Sequence, residues 1–585
     1  MITAPYNFVP LNKEVFYPSW AEDVSHDTPF ADGESGEIDI TITAKSPIFI
    51  RNHSNDKESP SSDFCNHNGQ YYIPGSTIKG VIRTITEIIS FSKLKLQDKT
   101  LSYRDLNNPS YKQKAMDGEK IYMGWLQKQG NSWSIENLGK VTNGQTRIKY
   151  DEMSNYLSRE VVSNIKRQKE AYKKYEQTSF DALKIDKGTI VFTGSTGNKT
   201  REFLFPNHDP IKVFTFDQDS ELAKTFTEAY YIGTPNESKD WKNLWSQKFK
   251  NGNKIPVFFQ LKDDGTLKHF GLSMLYKLPY ENSLQEILEK YQNFSSAKDL
   301  SELLYGYVDE KNVLKGRVQF SHLKCVKSEK YNKKISLPLS TPRATFYPNY
   351  LVQCCENGKT KKFITYDRKD AILRGFKMYP PKQKIQESAK DENGEDFCKK
   401  NPKLCSSFHP LGANSTFKGK IRFHNLKALE LGALLAALTF LNQNRDKKYF
   451  HKLGMAKAYG FGTVHIQVES LNTSSKKSVT DFVNIFLSEL NKILKIDLLK
   501  HPRIEAFFKL SSFDLDDQEL QTMGIKGFVK AKKTENNFCL KEVVKEGYDK
   551  TKICKQTSAS NVNTQKKSDT KVMNAKSLND FFQNR

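Results

Sequence analysis

The segment from Lys418 to Ser470 constrains the fold more than any other, because it contains a helix that has to be buried. Its centre, ALELGALLAALTFLN (Ala428 to Asn442), is apolar on nearly every side, which is typical of a helix enclosed by other elements. The preceding KGKIRFHNL is predicted as a strand, and HKLGMAKAYGFGTVHIQVES as a glycine-rich turn that enters another strand. A protein with this segment needs a sheet and further helices around it.

A second helix is predicted in YYIPGSTIKGVIRTITEIIS (Tyr71 to Ser90), with Ser76 as its N-cap. Its first turn carries Lys79 and Arg83, although the partial positive charge of a helix N-terminus favours acidic residues. Free N–H groups, the helix dipole and these cations together predict an anion site, where Gly80 admits a ligand backbone. The alternative is a solvated helix end whose basic side chains extend away from the core. The apolar face is predicted to comprise Ile78, Val81, Ile82, Ile85, Ile88 and Ile89.

Further strands are predicted at Gly36 to Ile50 and Gly316 to Val326, and GTIVFTG pairs with REFLFP as a hairpin near 188–206. With the long excursions removed, the outline is βαββαβ, so the fold class predicted is α+β with a ferredoxin-like or RNA-recognition (RRM-like) core. The predicted organisation is an irregular lead (1–36), first core part (37–100), insertion (101–310), second core part with the glycine loop (311–470), helical extension (471–549) and disordered basic tail (550–585). Within the extension, an amphipathic helix is predicted at Val479 to Leu494.

The charge of the chain indicates a polyanionic partner. The 585 residues include 91 Lys and Arg against 67 Asp and Glu, a formal net charge of +24 spread along the sequence. No apolar run is long enough to span a membrane, and the N-terminus lacks the features of a signal peptide. Eight irregularly spaced Cys do not suggest a disulfide framework. We therefore expect a cytoplasmic protein with a nucleic-acid partner and no membrane partner.

Two motifs in this order resemble the RAMP superfamily of CRISPR-associated proteins. They are IPGSTIKGVIR after the first strand and the loop GMAKAYGFGTV (Gly454 to Val464) before the last one. SYRDL, GTIVFTG, LSTPRATFYPNYL and LRGFKMY resemble blocks of the large, heavily inserted backbone subunits of type III effector complexes. The resemblance covers roughly residues 5 to 470, and the last 115 or so residues carry none.

The resemblance implies a backbone subunit that grips CRISPR guide RNA, contributes to recognition of target RNA and contacts other RAMP and effector subunits. It also implies a hairpin thumb, for which 188–206 is the candidate. Single-stranded RNA is bound through charge and stacking, which suits the basic and aromatic residues of these blocks. The alternative for the glycine loop is a turn whose aromatics fill the core. The predicted RNA-binding residues are Ser76, Thr77, Lys79, Gly80, Arg83, Arg343, Arg374, Lys377, Lys452, Lys457, Tyr459, Gly460, Phe461 and Gly462.

An enzymatic role is the alternative function. Some backbone subunits of the family cleave target RNA with a loop Asp and a divalent metal such as Mg²⁺; the candidates here are Asp63 and, second, Asp56. No second carboxylate stands at a convincing metal spacing, and an inert surface Asp is the simpler interpretation. His26 and His424 are candidates for acid–base catalysis in a guide-processing ribonuclease of the same family. Structural zinc is considered for Cys354, Cys355, Cys398 and Cys405 with His409, although C-x2-C pairs are lacking.

Overall fold

The computed structural model describes most of the chain and separates it into two compact units. The core unit comprises residues 1–97 and 285–561, and the insertion unit residues 98–284. Residues 285–309, expected in the insertion, therefore belong to the core unit. The described residues are 1–54, 61–96, 100–104, 111, 121–142, 144–195, 199–234, 237–309, 312–339, 343–356, 359–391, 393–443, 447–533, 539–545 and 547–550.

The core unit is built on an eight-stranded sheet with two helices that the sequence predicts. In chain order the elements are β1 (Glu34–Ala44), β2 (Asn66–His67), β3 (Gln70–Ile73), α1 (Gly75–Ile89), β4 (Val318–Phe320), β5 (Leu323–Lys327), β6 (Thr416–Leu426), α2 (Ala428–Thr439), β7 (His451–Lys452) and β8 (Thr463–Thr473). The order across the sheet is β7-β8-β1-β6-β5-β3-β2, with β4 also on β6, and all the pairings are antiparallel. The α+β class is confirmed.

The two core helices are held by the apolar patterns seen in the sequence. Five of the six residues predicted for the apolar face of α1 are buried, and Val81 is partly exposed. Helix α2 is buried from Leu429 to Leu438. A Cβ on Gly432 would lie 2.2 Å from the carbonyl oxygen of Phe482, so only glycine lets the following helix approach α2 this closely.

The N-terminal lead and the C-terminal extension both contribute to the core unit. Asn7–Val9 pairs with Phe376–Met378, so the lead is packed rather than irregular. The extension contains α3 (Val479–Leu494), α4 (Pro502–Leu510) and α5 (Ile525–Lys533), and the bounds of α3 match the prediction. The other paired strands are Gly306–Val308 with Val313–Lys315, Ile335–Leu337 with Ser406–Phe408, and Cys354–Glu356 with Lys359–Lys362. Short helices lie at Leu284–Tyr291, Leu300–Tyr305, Tyr347–Tyr350 and Phe397–Lys400.

The insertion unit contains two sheets around an aromatic core. A five-stranded sheet has the order Lys212–Asp217, Ser132–Lys140, Tyr122–Gln129, Ile255–Leu261, Leu267–Gly271. A four-stranded sheet has the order Arg147–Lys149, Arg201–Phe205, Gly188–Val191, Lys184–Ile185, which contains the predicted hairpin. Ser102–Tyr103 pairs with Leu278–Pro279. The helices are Tyr150–Met153, Arg159–Arg167, Ala171–Tyr175, Glu221–Tyr230, Trp241–Trp245 and Ser246–Lys250.

Candidate nucleic-acid interface

The first turn of α1 differs from its prediction in how the helix begins. Pro74, not Ser76, occupies the N-cap position, and it makes no side-chain cap hydrogen bond. The Gly75 N–H donates to Nδ1 of His322 at 3.1 Å, and the Thr77 N–H donates to the Pro74 carbonyl at 3.0 Å. Ser76 is exposed and Thr77 partly exposed. The Thr77 N–H, one of the groups expected to be free at Ser76 to Ile78, is therefore already used.

The two cations of α1 contact protein groups. The Lys79 ammonium donates to the Tyr305 carbonyl at 3.3 Å, and burial followed by the charge of Arg83 lowers the pKa of Lys79. Arg83 donates through Nε to Glu87 at 3.0 Å and lies 6.0 Å from the Tyr305 ring centroid. A Cβ on Gly80 would meet no described atom within 4 Å, so the helix surface is open at that point. This end of α1 is therefore a basic surface whose two cations already contact protein groups, and Gly80 leaves the helix open beside them.

The glycine loop connects β7 to β8 as a tight hairpin loop. Gly454, Gly460 and Gly462 all have positive φ, and Ala456 lies in the left-handed region with them. A Cβ on Gly462 would lie 1.8 Å from the Leu453 carbonyl oxygen, and one on Gly454 would lie 2.3 Å from that of Phe49. At these two positions the close approach is by the protein's own backbone, so at Gly462 the protein occupies the space that the RNA-binding prediction assigns to a ligand.

Two predicted RNA-binding residues, Lys452 before the loop and Phe461 within it, make their contacts inside the protein. The Lys452 ammonium donates to the carbonyl oxygens of Gly460 and Phe461 and to the Thr463 hydroxyl, at 3.3, 2.7 and 2.9 Å. The Phe461 side chain is fully buried, with its ring 5.8 Å from that of Phe408. Lys452 thus holds the loop closed and Phe461 anchors it, which corrects the expectation that both contact RNA directly.

Four lysines come together beside the loop, and we refer to Lys377, Lys382, Lys452 and Lys457 as the lysine cluster. Lys377 and Lys457 both have their ammonium over the Tyr379 ring, at 5.8 and 5.9 Å from its centroid. The Lys382 Cβ lies 3.5 Å from where a Cβ on Gly460 would stand. The charges of Lys457 and Lys382 both act on Lys452. The Tyr459 hydroxyl donates to the Pro338 carbonyl at 3.1 Å and borders this group.

Lys382 is the residue of this group that the sequence did not single out. It is 3 % exposed, and its ammonium has no hydrogen-bond acceptor among the described residues. The nearby Asp517 carboxylate instead accepts from the backbone N–H groups of Gln383 and Lys384, at 3.1 and 2.9 Å. A signal was available in the sequence. Lys382 is the third residue after the LRGFKMY block, and two prolines stand between them.

Burial dominates the electrostatics of the lysine cluster. Burial lowers the pKa of Lys382 to about 8, with the charge of Asp517 opposing that shift. Burial lowers the pKa of Lys377, and the charge of Lys457 lowers it further. The pKa of Lys457 falls through burial alone. Burying ammonium groups that have no carboxylate hydrogen-bonded to them is costly, so this arrangement favours an anion at the site.

The two arginines of the middle blocks lie in different surroundings. Arg343 is exposed, in a segment whose neighbouring residues 340–342 are not described. Arg374 is 1 % exposed and its guanidinium lies 3.8 Å from the Glu542 carboxylate. Burial leaves Arg374 no surface for RNA, which corrects its prediction as an RNA-binding residue.

The described residues of the candidate catalytic loop do not include a metal-binding set of side chains. The Asp63 side chain is 68 % exposed, and Nδ1 of His409 lies 3.9 Å from its Oδ1. Within the described ranges no group of three His, Cys, Asp or Glu is placed to bind a metal ion. The described residues around Asp63 therefore do not fit a divalent ion, and Asp56 lies outside them.

The cysteine and histidine candidates are also separated. Cys398 and Cys405 form a disulfide, so these two are not available as zinc ligands, and the expectation of unpaired thiols fails at this position. Cys354 lies in a short strand, and the side chain of Cys355 is not described. His26 contacts the Lys315 carbonyl at 2.8 Å, and His424 contacts the Ser35 hydroxyl at 3.2 Å.

Each predicted RNA-binding segment has its own set of neighbours. The first turn of α1 contacts Tyr305 and His322. The glycine loop instead contacts Pro47 and Phe49, which follow β1, and Gln386, which lies four residues after Lys382. The structure brings Lys377, Lys452, Lys457, Tyr459 and Gly460 into one site and adds Lys382. In the part of the chain that is described, no helix has the length and apolar character needed to cross a membrane.

Comparisons with known proteins place this chain in a family. Two solved structures align with most of it: Csc2 from Thermofilum pendens, at 10 % identity with a TM-score of 0.22 over 86 % of this chain and 84 % of that one, and a chain of a CRISPR RNA-guided surveillance complex in a pre-nicking state, at 11 % identity with a TM-score of 0.19 over 79 % and 90 %. TM-scores this low do not establish a shared fold, and no curated protein matches. The model of the RAMP superfamily, however, matches residues 41–465, and the chain therefore belongs to the RAMP superfamily.

Proposed function

We propose that this protein is an RNA-binding backbone subunit of a type III CRISPR RNA-guided effector complex. In this proposal the lysine cluster binds a phosphate of the guide RNA, and the same RNA molecule passes over the open surface at Gly80. The partners are the guide RNA, target RNA and neighbouring effector subunits in the cytoplasm. Membership of the RAMP superfamily and the net charge of +24 support this class of partner.

The buried Lys382 ammonium is the observation that carries the proposal. A buried ammonium without a hydrogen-bond acceptor, close enough to Lys452 for their charges to interact, costs several kcal/mol in the unliganded protein. A phosphate supplies the missing acceptor and adds negative charge, and charge-assisted bonds to it are among the strongest available. The lysine cluster is therefore better explained by a bound polyanion than by the stability of the free fold.

The core is proposed to be ferredoxin-like, as in RNA-recognition domains. With β4 and β5 taken as one interrupted strand, the elements β1, α1, β4–β5, β6, α2 and β8 follow the order βαββαβ. Their order across the sheet is β8-β1-β6-β5, which places the first and third strands in the centre. The glycine loop enters β8 next to the end of β1, so the lysine cluster lies at one end of the central strands.

The test is the RNA content of the purified protein. We expect Lys382→Gln with Lys457→Gln to remove most co-purifying guide RNA and to weaken binding of a repeat-derived RNA by about tenfold or more, because each residue loses a charged hydrogen bond. Lys492→Gln with Lys509→Gln removes the same charge from exposed positions of α3 and α4 and serves as the control. Equal RNA content in both double variants would refute the proposal.

A further inference from the structure

The four-stranded sheet of the insertion unit carries three cations on one face, which we name the basic face: Arg147, Lys149 and Arg201. Arg201 stands directly opposite Lys149 across the strand pair, and Arg147 stands opposite Phe203. Because side chains alternate along strands, these residues share one face. Ile148 and Leu204, which point to the other face, belong to the buried core of the unit.

This arrangement costs the sheet stability. Like charges directly opposite each other on neighbouring antiparallel strands are destabilising. Burial lowers the pKa of Arg147, and the charge of Arg201 lowers it further, so the two guanidinium groups also repel. The fold of the insertion unit alone gives no reason to place three cations together at these positions.

Nearby carboxylates do not neutralise the basic face. Glu202 is fully buried and pairs with Lys174 and Lys199 instead. Glu152 accepts from the backbone N–H of Lys149 at 3.4 Å. Across the described ranges none of the three cations forms an ion pair.

The guanidinium of Arg147 is itself incompletely bonded. Its Nη2 donates to the Met274 sulfur at 3.3 Å, a weak acceptor, and its buried Nε has no acceptor among the described residues. Arg147 and Arg201 are partly exposed and Lys149 is exposed, so all three can be reached from solvent.

We propose that the basic face binds the phosphate backbone of single-stranded RNA, as a second contact surface separate from the lysine cluster. Arg147 and Lys149 lie about 6.8 Å apart along their strand, and Arg201 lies about 4.8 Å away across the pair, so several phosphates can be contacted at once. Phe203 beneath the cations is 5 % exposed and offers no stacking surface. The contact is therefore with phosphates and is independent of base sequence.

The inference goes beyond the proposed function because it assigns RNA contact to the insertion unit. The experiment measures binding of a fluorescein-labelled 30-nucleotide oligouridylate by the full chain between about 50 and 300 mM KCl. The triple variant Arg147→Gln, Lys149→Gln, Arg201→Gln is expected to bind more weakly at low salt. The slope of log K against log salt concentration is expected to become shallower by about 2, because each of three phosphate contacts contributes about 0.7.

A matched control removes three exposed lysines elsewhere in the same unit: Lys242→Gln, Lys250→Gln, Lys268→Gln. The control is expected to keep the slope of the wild-type chain. The variant Arg201→Glu gives a second measurement, because it creates a favourable pair with Lys149. We expect Arg201→Glu to melt at or above the wild-type temperature while it weakens oligouridylate binding, which separates binding from folding.

The outcomes distinguish this inference from the proposed function. Equal slopes in the basic-face and control triples, or undiminished binding by Arg201→Glu, overturn the inference. If Lys382→Gln with Lys457→Gln abolishes binding and the basic-face triple leaves it unchanged, the lysine cluster stands and the basic face does not. A loss of slope in the basic-face triple that persists in a Lys382→Gln, Lys457→Gln background supports two independent surfaces.

Discussion

Lys382 and Arg374 are both cations that the core unit buries, and their surroundings give them different roles. The Arg374 guanidinium lies 3.8 Å from Glu542 of the C-terminal extension, so its charge is compensated within the protein. The Lys382 ammonium forms neither an ion pair nor a hydrogen bond with any described residue. A compensated buried charge supports the fold, whereas an uncompensated one weakens the free protein and favours a ligand that supplies the missing charge.

The pH dependence of stability follows from this difference. Burial lowers the pKa of Lys382 from 10.5 to about 8. Below pH 8 the folded state carries an unfavourable charge that costs about 3 kcal/mol relative to the unfolded chain. This cost is relieved as the pH rises from 8 towards 10.5. Over that range the folded protein loses the Lys382 proton while the unfolded chain still holds it.

We therefore expect Lys382→Met to raise the melting temperature at pH 7 and to raise it less at pH 9.5. Differential scanning fluorimetry of both proteins at the two pH values checks this prediction. A variant that melts below the wild type at pH 7, or whose advantage is the same at both values, contradicts it.

Asp63 gives a second prediction at the scale of a single residue. Because its carboxylate is exposed and stands without a metal-binding set among the described residues, we expect Asp63→Ala to leave the RNA cleavage pattern of the assembled complex unchanged. The check is gel analysis of target RNA cleaved by complexes assembled with either protein. Loss of one product at a fixed position, with assembly intact, would restore the catalytic hypothesis.

Among the structural elements, α1 shows most clearly what sequence patterns reveal. Its apolar face and approximate length follow from the spacing of the isoleucines, and α3 likewise has its predicted bounds. The cap of α1 is different, because the chain leaving β3 places Pro74 at that position and gives the Gly75 N–H to His322. His322 lies far away in sequence, so the spacing of residues within the helix could not reveal this partner.

The lysine cluster shows the same division between local and distant information. The glycine loop and the block with Lys377 were each recognisable as motifs, whereas their meeting around Tyr379 depends on tertiary packing. The pairing of Asn7–Val9 with Phe376–Met378 was missed for the same reason. Periodicity identifies elements, and it contains no information about which distant elements will be neighbours.

Gly80 provides the prediction at the scale of an element. It lies exposed in the interior of α1, where alanine is better by about 1 kcal/mol. We expect Gly80→Ala to raise the free energy of unfolding by roughly that amount and Gly80→Gln to weaken guide binding, because a longer side chain covers the open surface. Urea denaturation and RNA titration measure the two effects. Unchanged RNA affinity in Gly80→Gln would show that no strand passes there.

At the scale of the whole molecule, the chain leaves the core unit for the insertion and returns from it, and the core segments before and after the insertion lie close together. The Lys93 N–H donates to Asp299 at 3.1 Å, and the Leu94 N–H donates to the Gln292 side chain at 3.3 Å. The segments that lead into and out of the insertion are thus held side by side by the core unit itself.

A short connection should therefore replace the insertion without loss of the core fold. We expect a chain in which a Gly/Ser linker of about eight residues replaces 98–284 to melt cooperatively and to retain RNA binding at the lysine cluster, because closing so short a loop costs little. Its salt dependence should be weaker by the contribution of the basic face. Thermal melts and the oligouridylate titration test both parts, and a shortened chain that does not melt cooperatively would show that the core needs the insertion to fold.

The position of β1 in the sheet has a consequence for how the protein is made. This early strand is central, and its two partners, β6 and β8, end at Leu426 and Thr473, while Arg503 of α4 donates to the carbonyls of Ile88 and Pro10. A ribosome working at about 5–20 residues per second needs roughly 20 to 90 s to travel from β1 to the end of β8. During that interval a nascent chain exposes an apolar strand with both edges open. We expect expression to depend on chaperones that shield β1 until the last strand emerges.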